Sequence, residues 1–128
     1  MKTKKERDLE WERTTLQGQA CKMYGNARRA SRDKGFEEPT ITKEWIRERL
    51  APQRCELTGL RLEFSMVSNN PFKPSLDRID TRRGYHPDNV RIVAWGINNM
   101  LNNWGDDVAY VLAKAYTESY NESTTRDS

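Results

Sequence analysis

Between Leu9 and Ser31, apolar residues (Leu9, Leu16, Ala20, Met23, Tyr24, Ala27, Ala30) recur at three- and four-residue steps or their sums, which predicts helix. Gly18 and Gly25 weaken the pattern, so it fits either two helices or one imperfect helix. The other side carries Lys22, Arg28, Arg29 and Arg32, read as a solvated face with phosphate contact as the alternative. Lys34-Gly35 closes this segment, and Phe36–Pro39 is a connector. Thr42 then has the chemistry of an N-cap for a helix over Lys43–Leu50, with Trp45, Ile46 and Leu50 as its apolar side and Pro52 as its stop. Cys55-Glu56-Leu57-Thr58-Gly59 reads as a tight turn, followed by an extended piece through Leu62 and Phe64. Ser68–Pro74 is loop, because its two prolines block regular pairing.

Beyond the loop the periods change quickly. Leu76–Ile79 is short and extended, Asp80–Asp88 is a long turn, and Val90–Val93 is β-branched and strand-like. Ala94–Trp104 turns to helical spacing, with Ile97, Met100, Leu101 and Trp104 in one stripe. After Gly105, Asp106 and Asp107 suit a helix N-terminus, and Val108, Val111, Leu112, Ala115 and Tyr116 predict an amphipathic helix. The expected fold class is α+β, a small ββα unit with flanking N- and C-terminal helices. Its expected parts are a disordered basic terminus over 1–8, a helical region over 9–54, the ββα unit with the last helix over 55–120, and a disordered tail over 121–128.

Composition narrows the class. At 128 residues one core is the expectation, and 35% hydrophobic against 32% charged residues makes it a thin one. Four Trp, five Tyr and three Phe argue against whole-chain disorder. A net charge of +3 is only mildly basic and does not by itself specify a nucleic-acid partner. Cys21, Cys55 and His86 make three Cys/His residues, one short of the usual four ligands of structural zinc, so no structural zinc is expected. Free thiols are expected of both cysteines. No apolar run is long enough to span a membrane and no signal segment is evident, so the expectation is a soluble, cytoplasmic protein without a membrane partner.

The segment Ser75-Leu76-Asp77-Arg78-Ile79-Asp80, then Gly84-Tyr85, Asp88-Asn89-Val90 and Asn98, resembles the HNH (ββα-metal) endonuclease family, in particular a phage-type branch. The likeness extends upstream to Cys55–Gly59 and downstream through Leu101–Val108 into the last helix. It implies a metal-dependent DNA endonuclease, with a host cytoplasmic setting if phage-encoded. Asp77 and Asn98 then stand at the positions that ligate one Mg²⁺ or Mn²⁺, and Asn89 at the position that braces the turn. The chemistry agrees. Phosphodiester hydrolysis needs a cation beside the charge that develops on phosphorus-bound and departing oxygens. Mg²⁺ prefers oxygen ligands and retains waters, so one carboxylate and one carboxamide suffice alongside the phosphate. The bland alternatives are an ion pair of Asp77 with Arg78 or Arg82, and a solvated Asn98. Asn102, one turn beyond Asn98, is expected to point the same way.

Two departures from the family pattern follow. The usual general base, a His directly after the metal-binding Asp, is replaced by Arg78, which stays protonated and cannot take a proton from water. It could grip the scissile phosphate instead. His86, the only histidine, is the candidate substitute base, with Asp80 second and more readily read as a turn-capping carboxylate. Where many relatives carry a zinc knuckle, this chain has Cys55 and Thr58, then Ala94 and Ile97. An apolar plug of Ala94, Ile97, Leu57 and Trp45 is expected in its place. DNA contact is expected from Lys73, Arg78, Arg82, Arg83, Arg91 and Asn102 without a base-reading module. A homodimer would let two such sites cut both strands. The alternative function is an HNH-fold DNA-binding or interaction protein that no longer cuts.

Overall fold

The computed structural model describes residues 1–126. The chain divides into two compact units, one over Met1–Asn98 and a second from Asn99 onward.

The first unit opens with α1 (Lys4–Thr14) and α2 (Leu16–Lys34). Of the two readings of this stretch, two helices is what forms, and the break is at Thr15 rather than at either glycine. Thr15 is extended, accepts from Gly18 N at 3.0 Å and donates to Trp11 O at 2.6 Å, so one side chain closes α1 and caps α2. Residues 4–8, expected to be disordered, are helical. Thr3 and Glu6 form a reciprocal capping box that satisfies the first donors of α1, although none of its residues is buried. Gly35 ends α2 in the left-handed region at φ 73°, with Phe36 N bonded to Ser31 O at 2.8 Å. Thr42 caps α3 (Lys43–Leu50) by accepting from Trp45 N at 3.0 Å.

The sheet is one antiparallel hairpin, β1 (Pro74–Arg78) with β2 (Val90–Ala94), in the register Ser75–Val93, Leu76–Ile92, Asp77–Arg91 and Arg78–Val90. Alternation along a strand puts Leu76, Arg78, Val90 and Ile92 on one face, and Ser75, Asp77, Arg91 and Val93 on the other. Glu56 seals the free edge of β2. Its N–H donates to Ile92 O at 2.8 Å, its Oε1 accepts from Ile92 N at 2.6 Å, and Arg49 holds Oε2. Helix α4 (Trp95–Leu101) follows β2 without a loop.

Ala20, Met23 and Ala27 of α2, Ile46 and Leu50 of α3, and Val90, Ile92, Val93 and Ala94 of β2 belong to a single buried cluster. Residues from both sides of the 54/55 bound thus share one cluster, in keeping with the single core expected of this length. Of the expected plug, Ala94 is buried and Ile97 and Trp45 pack against the cluster, whereas Leu57 is exposed. Cys55 is buried where Thr58 and Ala94 meet. Burial pushes its thiol up, but hydrogen bonds from the Thr58 side chain and from the backbone of Ala94, Thr58 and Leu57 outweigh that and hold it below the ordinary value.

In the second unit, α4 ends at Leu101, three residues short of the expected Trp104, since Asn102 at φ 46° and Gly105 at φ 85° take left-handed conformations. Asn102 consequently does not continue the face of α4 that carries Asn98. Helix α5 (Asp106–Arg126) has Asp106 and Asp107 in its first turn and runs through 121–126, expected as disordered tail. The last two residues of that tail lie outside the described residues. Val108, Val111, Leu112 and Tyr116, from the expected apolar side of this helix, are exposed, and Ala109 is buried. Among the described residues no helix is long and apolar enough to cross a membrane.

Candidate metal and phosphate site

Asp77 is 5% exposed, near the centre of β1. A buried carboxylate needs a compensating partner, and the register supplies one directly opposite. Arg91 donates from Nε to Asp77 Oδ2 at 2.7 Å, with side-chain exposures of 16% and 7%. The ion pair weighed as the bland alternative, with Arg78 or Arg82, has a counterpart here in Arg91. Cross-strand pairing decides this, because Arg78 is carried to the opposite face of β1.

Asn98 lies in the second turn of α4. Its Nδ2 donates to Ser75 Oγ at 2.6 Å and to Leu76 O at 3.2 Å. Ser75 shares a face with Asp77 two residues along the strand, roughly 7 Å between Cα atoms. The helix thus brings its carboxamide onto the strand face that carries the carboxylate. With Nδ2 committed to Ser75 and Leu76, Oδ1 is the atom the amide can offer a cation.

The long turn is tied from inside by Asn89, 1% exposed. Its Oδ1 accepts from Asp80 N at 2.8 Å, and its Nδ2 donates to Asp80 O at 3.1 Å and Gly84 O at 2.9 Å. Its backbone adds bonds to Ile79 N and His86 O. Asn is required here because only a carboxamide both accepts and donates in this manner.

Arg78 and His86 are not gathered with Asp77 and Asn98. The Arg78 guanidinium donates to Thr81 O and Arg83 O and stacks 4.8 Å from the Phe36 ring centroid and 5.5 Å from that of Tyr85. Through Nη1 it clasps the turn. His86 has Nδ1 2.7 Å from Thr40 Oγ1 and Nε2 3.1 Å from Glu37 Oε1, and its side chain is 15% exposed. A Cβ at Gly84 would lie 3.4 Å from Phe36 Cβ and 3.5 Å from His86 Nε2, so the ring belongs to the cluster around Phe36. With both nitrogens engaged by the connector before α3, the imidazole has no lone pair directed at the Asp77 face.

Around the turn, Arg82 is bound to Asp80 and Arg83 to Asp88. Hydrogen bonds from the side chain and backbone of Arg82 hold the Asp80 carboxyl below the usual carboxylate range, and the Arg83 side chain does the same for Asp88. Asp80 is thereby a poorer proton acceptor than an ordinary aspartate. Lys73 precedes β1, donates to Ser68 O at 2.6 Å and lies 4.3 Å over the Trp95 ring.

This chain is similar to a solved structure of the rare-cutting HNH restriction endonuclease PacI. The similarity covers 82% of this chain and 81% of that one at 17% identity, with a TM-score of 0.48. No protein-family model matches the chain. No curated protein matches it.

Chemically, the face offers one carboxylate and one carboxamide oxygen. Among the described residues no three His, Cys, Asp or Glu side chains converge. A donor pair of this kind fits a hard divalent cation that completes its shell with waters and a phosphate oxygen. Arg91 was read only as a DNA contact and Ser75 only as part of the motif, although their links to Asp77 and Asn98 were readable. Arg91 pairs with Asp77 because the two are equidistant from the turn, and Ser75 joins the site because it is two residues from Asp77 on a strand.

Proposed function

We propose that this chain is a divalent-metal-dependent DNA endonuclease whose site is Asp77 and Asn98. The observation that carries the reading is the reach of Asn98 onto the Ser75–Asp77 face, which makes one strand and one helix supply the two oxygens a Mg²⁺ or Mn²⁺ ion would take. When bound, the ion would neutralise negative charge on the scissile phosphate and the departing oxygen. Arg91 would orient the Asp77 carboxylate from behind, as outer partners of metal ligands do. Ser75 would fix the carboxamide orientation of Asn98. Asn89 would hold the turn that sets the spacing of the two strands. His86 and Arg78 have turn-holding roles in this reading, and the exposed Arg82 and Arg83 are left to contact phosphates.

A second reading is an HNH-type DNA-binding protein that does not cut. The Asp77–Arg91 pair favours it, because the carboxylate is already neutralised by the protein. Supercoiled plasmid incubated with the purified chain, with and without Mn²⁺, separates the two. Metal-dependent nicking that Asp77→Ala and Asn98→Ala abolish supports the endonuclease. Salt-sensitive binding with no nicking whether or not Mn²⁺ is present supports the binder. His86→Ala should lower stability and leave the pH profile of nicking unmoved; loss of the acid limb, where rate climbs as a base deprotonates, would return His86 to the role of proton acceptor.

A further inference from the structure

Beside the amino end of β1 lies a cavity of about 210 Å³ whose walls come from α1, α2, the loop before β1, and β1 itself. Arg13, Lys22 and Lys73 line it, with Asn26, Ser65 and Ser75 among the polar neighbours, and no Asp or Glu does. The volume is ample for a phosphodiester group with waters, since one water needs only about 10–15 Å³.

The three cations reach the cavity from separate elements, which a solvated charge run on one helix would not do. Arg13 donates to Met66 O at 2.7 Å, yet its Nε is buried with no hydrogen-bond partner. A buried donor without a partner is costly, a cost the fold carries here at the cavity wall. Lys73 is fixed by Ser68 O and the Trp95 ring. Burial, then Lys22 and Arg13, push its ammonium below the ordinary lysine value, the response of a cation crowded by like charges. Nearby, Glu12 is 4.0 Å from Lys22 Nζ, too long for a firm bond. Ser75 lines the cavity and also binds Asn98, which joins this pocket to the Asp77 face.

We propose that the pocket binds a single backbone phosphate of DNA, a neighbour of the phosphate held at Asp77 and Asn98. The placement beside that scissile group rests on the endonuclease reading. The chemistry recognised is a phosphate anion, whose two sources are a DNA strand and free phosphate.

Fluorescence anisotropy of a labelled DNA duplex with the full chain in EDTA, over a salt series, tests it apart from metal and cleavage. Neutralising one phosphate contributes about 0.9 to the slope of log affinity against log salt. Lys22→Gln and Lys73→Gln should each weaken binding, and the double variant should weaken it about tenfold and flatten the slope by about one. A slope flattened by two or more in the double variant would mean separate phosphates and would overturn the single-phosphate pocket. Unchanged DNA binding in the double variant would overturn it outright, whatever nicking shows. If inorganic phosphate raises the melting temperature of the parent and not of the double variant, while DNA binding is unmoved, the ligand is free phosphate and the DNA assignment is wrong. Flattened binding in a parent chain that fails to nick with Mn²⁺ keeps the phosphate pocket and removes the endonuclease reading.

Discussion

Arg91 stands directly across the hairpin from Asp77 and holds its Oδ2 at 2.7 Å, with both side chains largely withdrawn from water. The pair has two consequences. It lets a carboxylate survive in a buried strand, and it places a fixed cation behind the atom that would ligate a metal. Removing one partner of a buried pair costs about 3–5 kcal/mol, because the charge left behind is uncompensated.

Arg91→Ala should therefore lower unfolding free energy in urea by about 3 kcal/mol at neutral pH. Adding Mn²⁺ should narrow the gap to the parent, since the ion would restore positive charge beside Asp77. A gap that Mn²⁺ leaves unchanged would separate Asp77 from any metal site. An Arg91→Ala variant as stable as the parent would show that the pair contributes nothing net.

Asn89→Ala should cost about 3 kcal/mol, because it leaves Asp80 N, Asp80 O and Gly84 O without their side-chain partner in a closed turn. Asn89→Asp keeps the acceptor for Asp80 N but sets a carboxylate against two carbonyl oxygens, so it should be no better than alanine. Urea unfolding of the two variants decides this. Equal stability of the aspartate variant and the parent would mean the two Nδ2 bonds are dispensable.

The ends of the turn carry a pH dependence. Asp80 and Asp88 both have carboxyl pKa values lowered by their arginine partners. A group whose folded pKa is depressed contributes stability that is present above its unfolded value, about 3.9 for aspartate, and is lost as pH falls through the folded value. The melting temperature should thus be insensitive to these two groups from about pH 5 to 8 and decline below about pH 4. Both pairs are exposed, so added salt should shrink their share. The double variant Asp80→Asn, Asp88→Asn should show a shallower acid decline at low salt; the same decline as the parent would assign acid sensitivity elsewhere.

What the sequence disclosed depended on how local the determinant was. Thr42, the Lys43–Leu50 helix and the strand–turn–strand–helix order are set by neighbours in sequence, and each forms as read. Asp77 and Asn98 were marked by resemblance and by polarity left over from the helical stripe. The pairing of Asp77 with Arg91 was not read because only arginines near in sequence were weighed, whereas the hairpin register sets Arg91 opposite it. Arg78 was assigned by its place after Asp77 and His86 by being the only histidine, in the turn between the strands, whereas the connector residues Phe36, Glu37 and Thr40 that engage them are about fifty positions upstream of His86. The apolar row of α5 was read as the side of an amphipathic helix, and it is exposed because periodicity reports which face is apolar and not what covers it.

The two glycines of α2 should respond oppositely to the same substitution. In a helix interior alanine is better than glycine by about 0.5–1 kcal/mol. At Gly25 a Cβ would meet nothing within 4 Å, so Gly25→Ala should stabilise by about that amount. At Gly18 the Cβ would fall 2.2 Å from Trp11 O, 2.6 Å from Glu12 Cα and 2.8 Å from Glu12 O, all of them main chain and unable to swing aside. Relief requires α1 to move off α2 and would strain the Thr15 cap between them. Overpacking of this kind costs about 1–3 kcal/mol or more, which exceeds the propensity gain, so Gly18→Ala should destabilise. Thermal unfolding of the two single variants checks the signs. A stabilised Gly18→Ala chain would mean that α1 does not pack against α2 at this glycine.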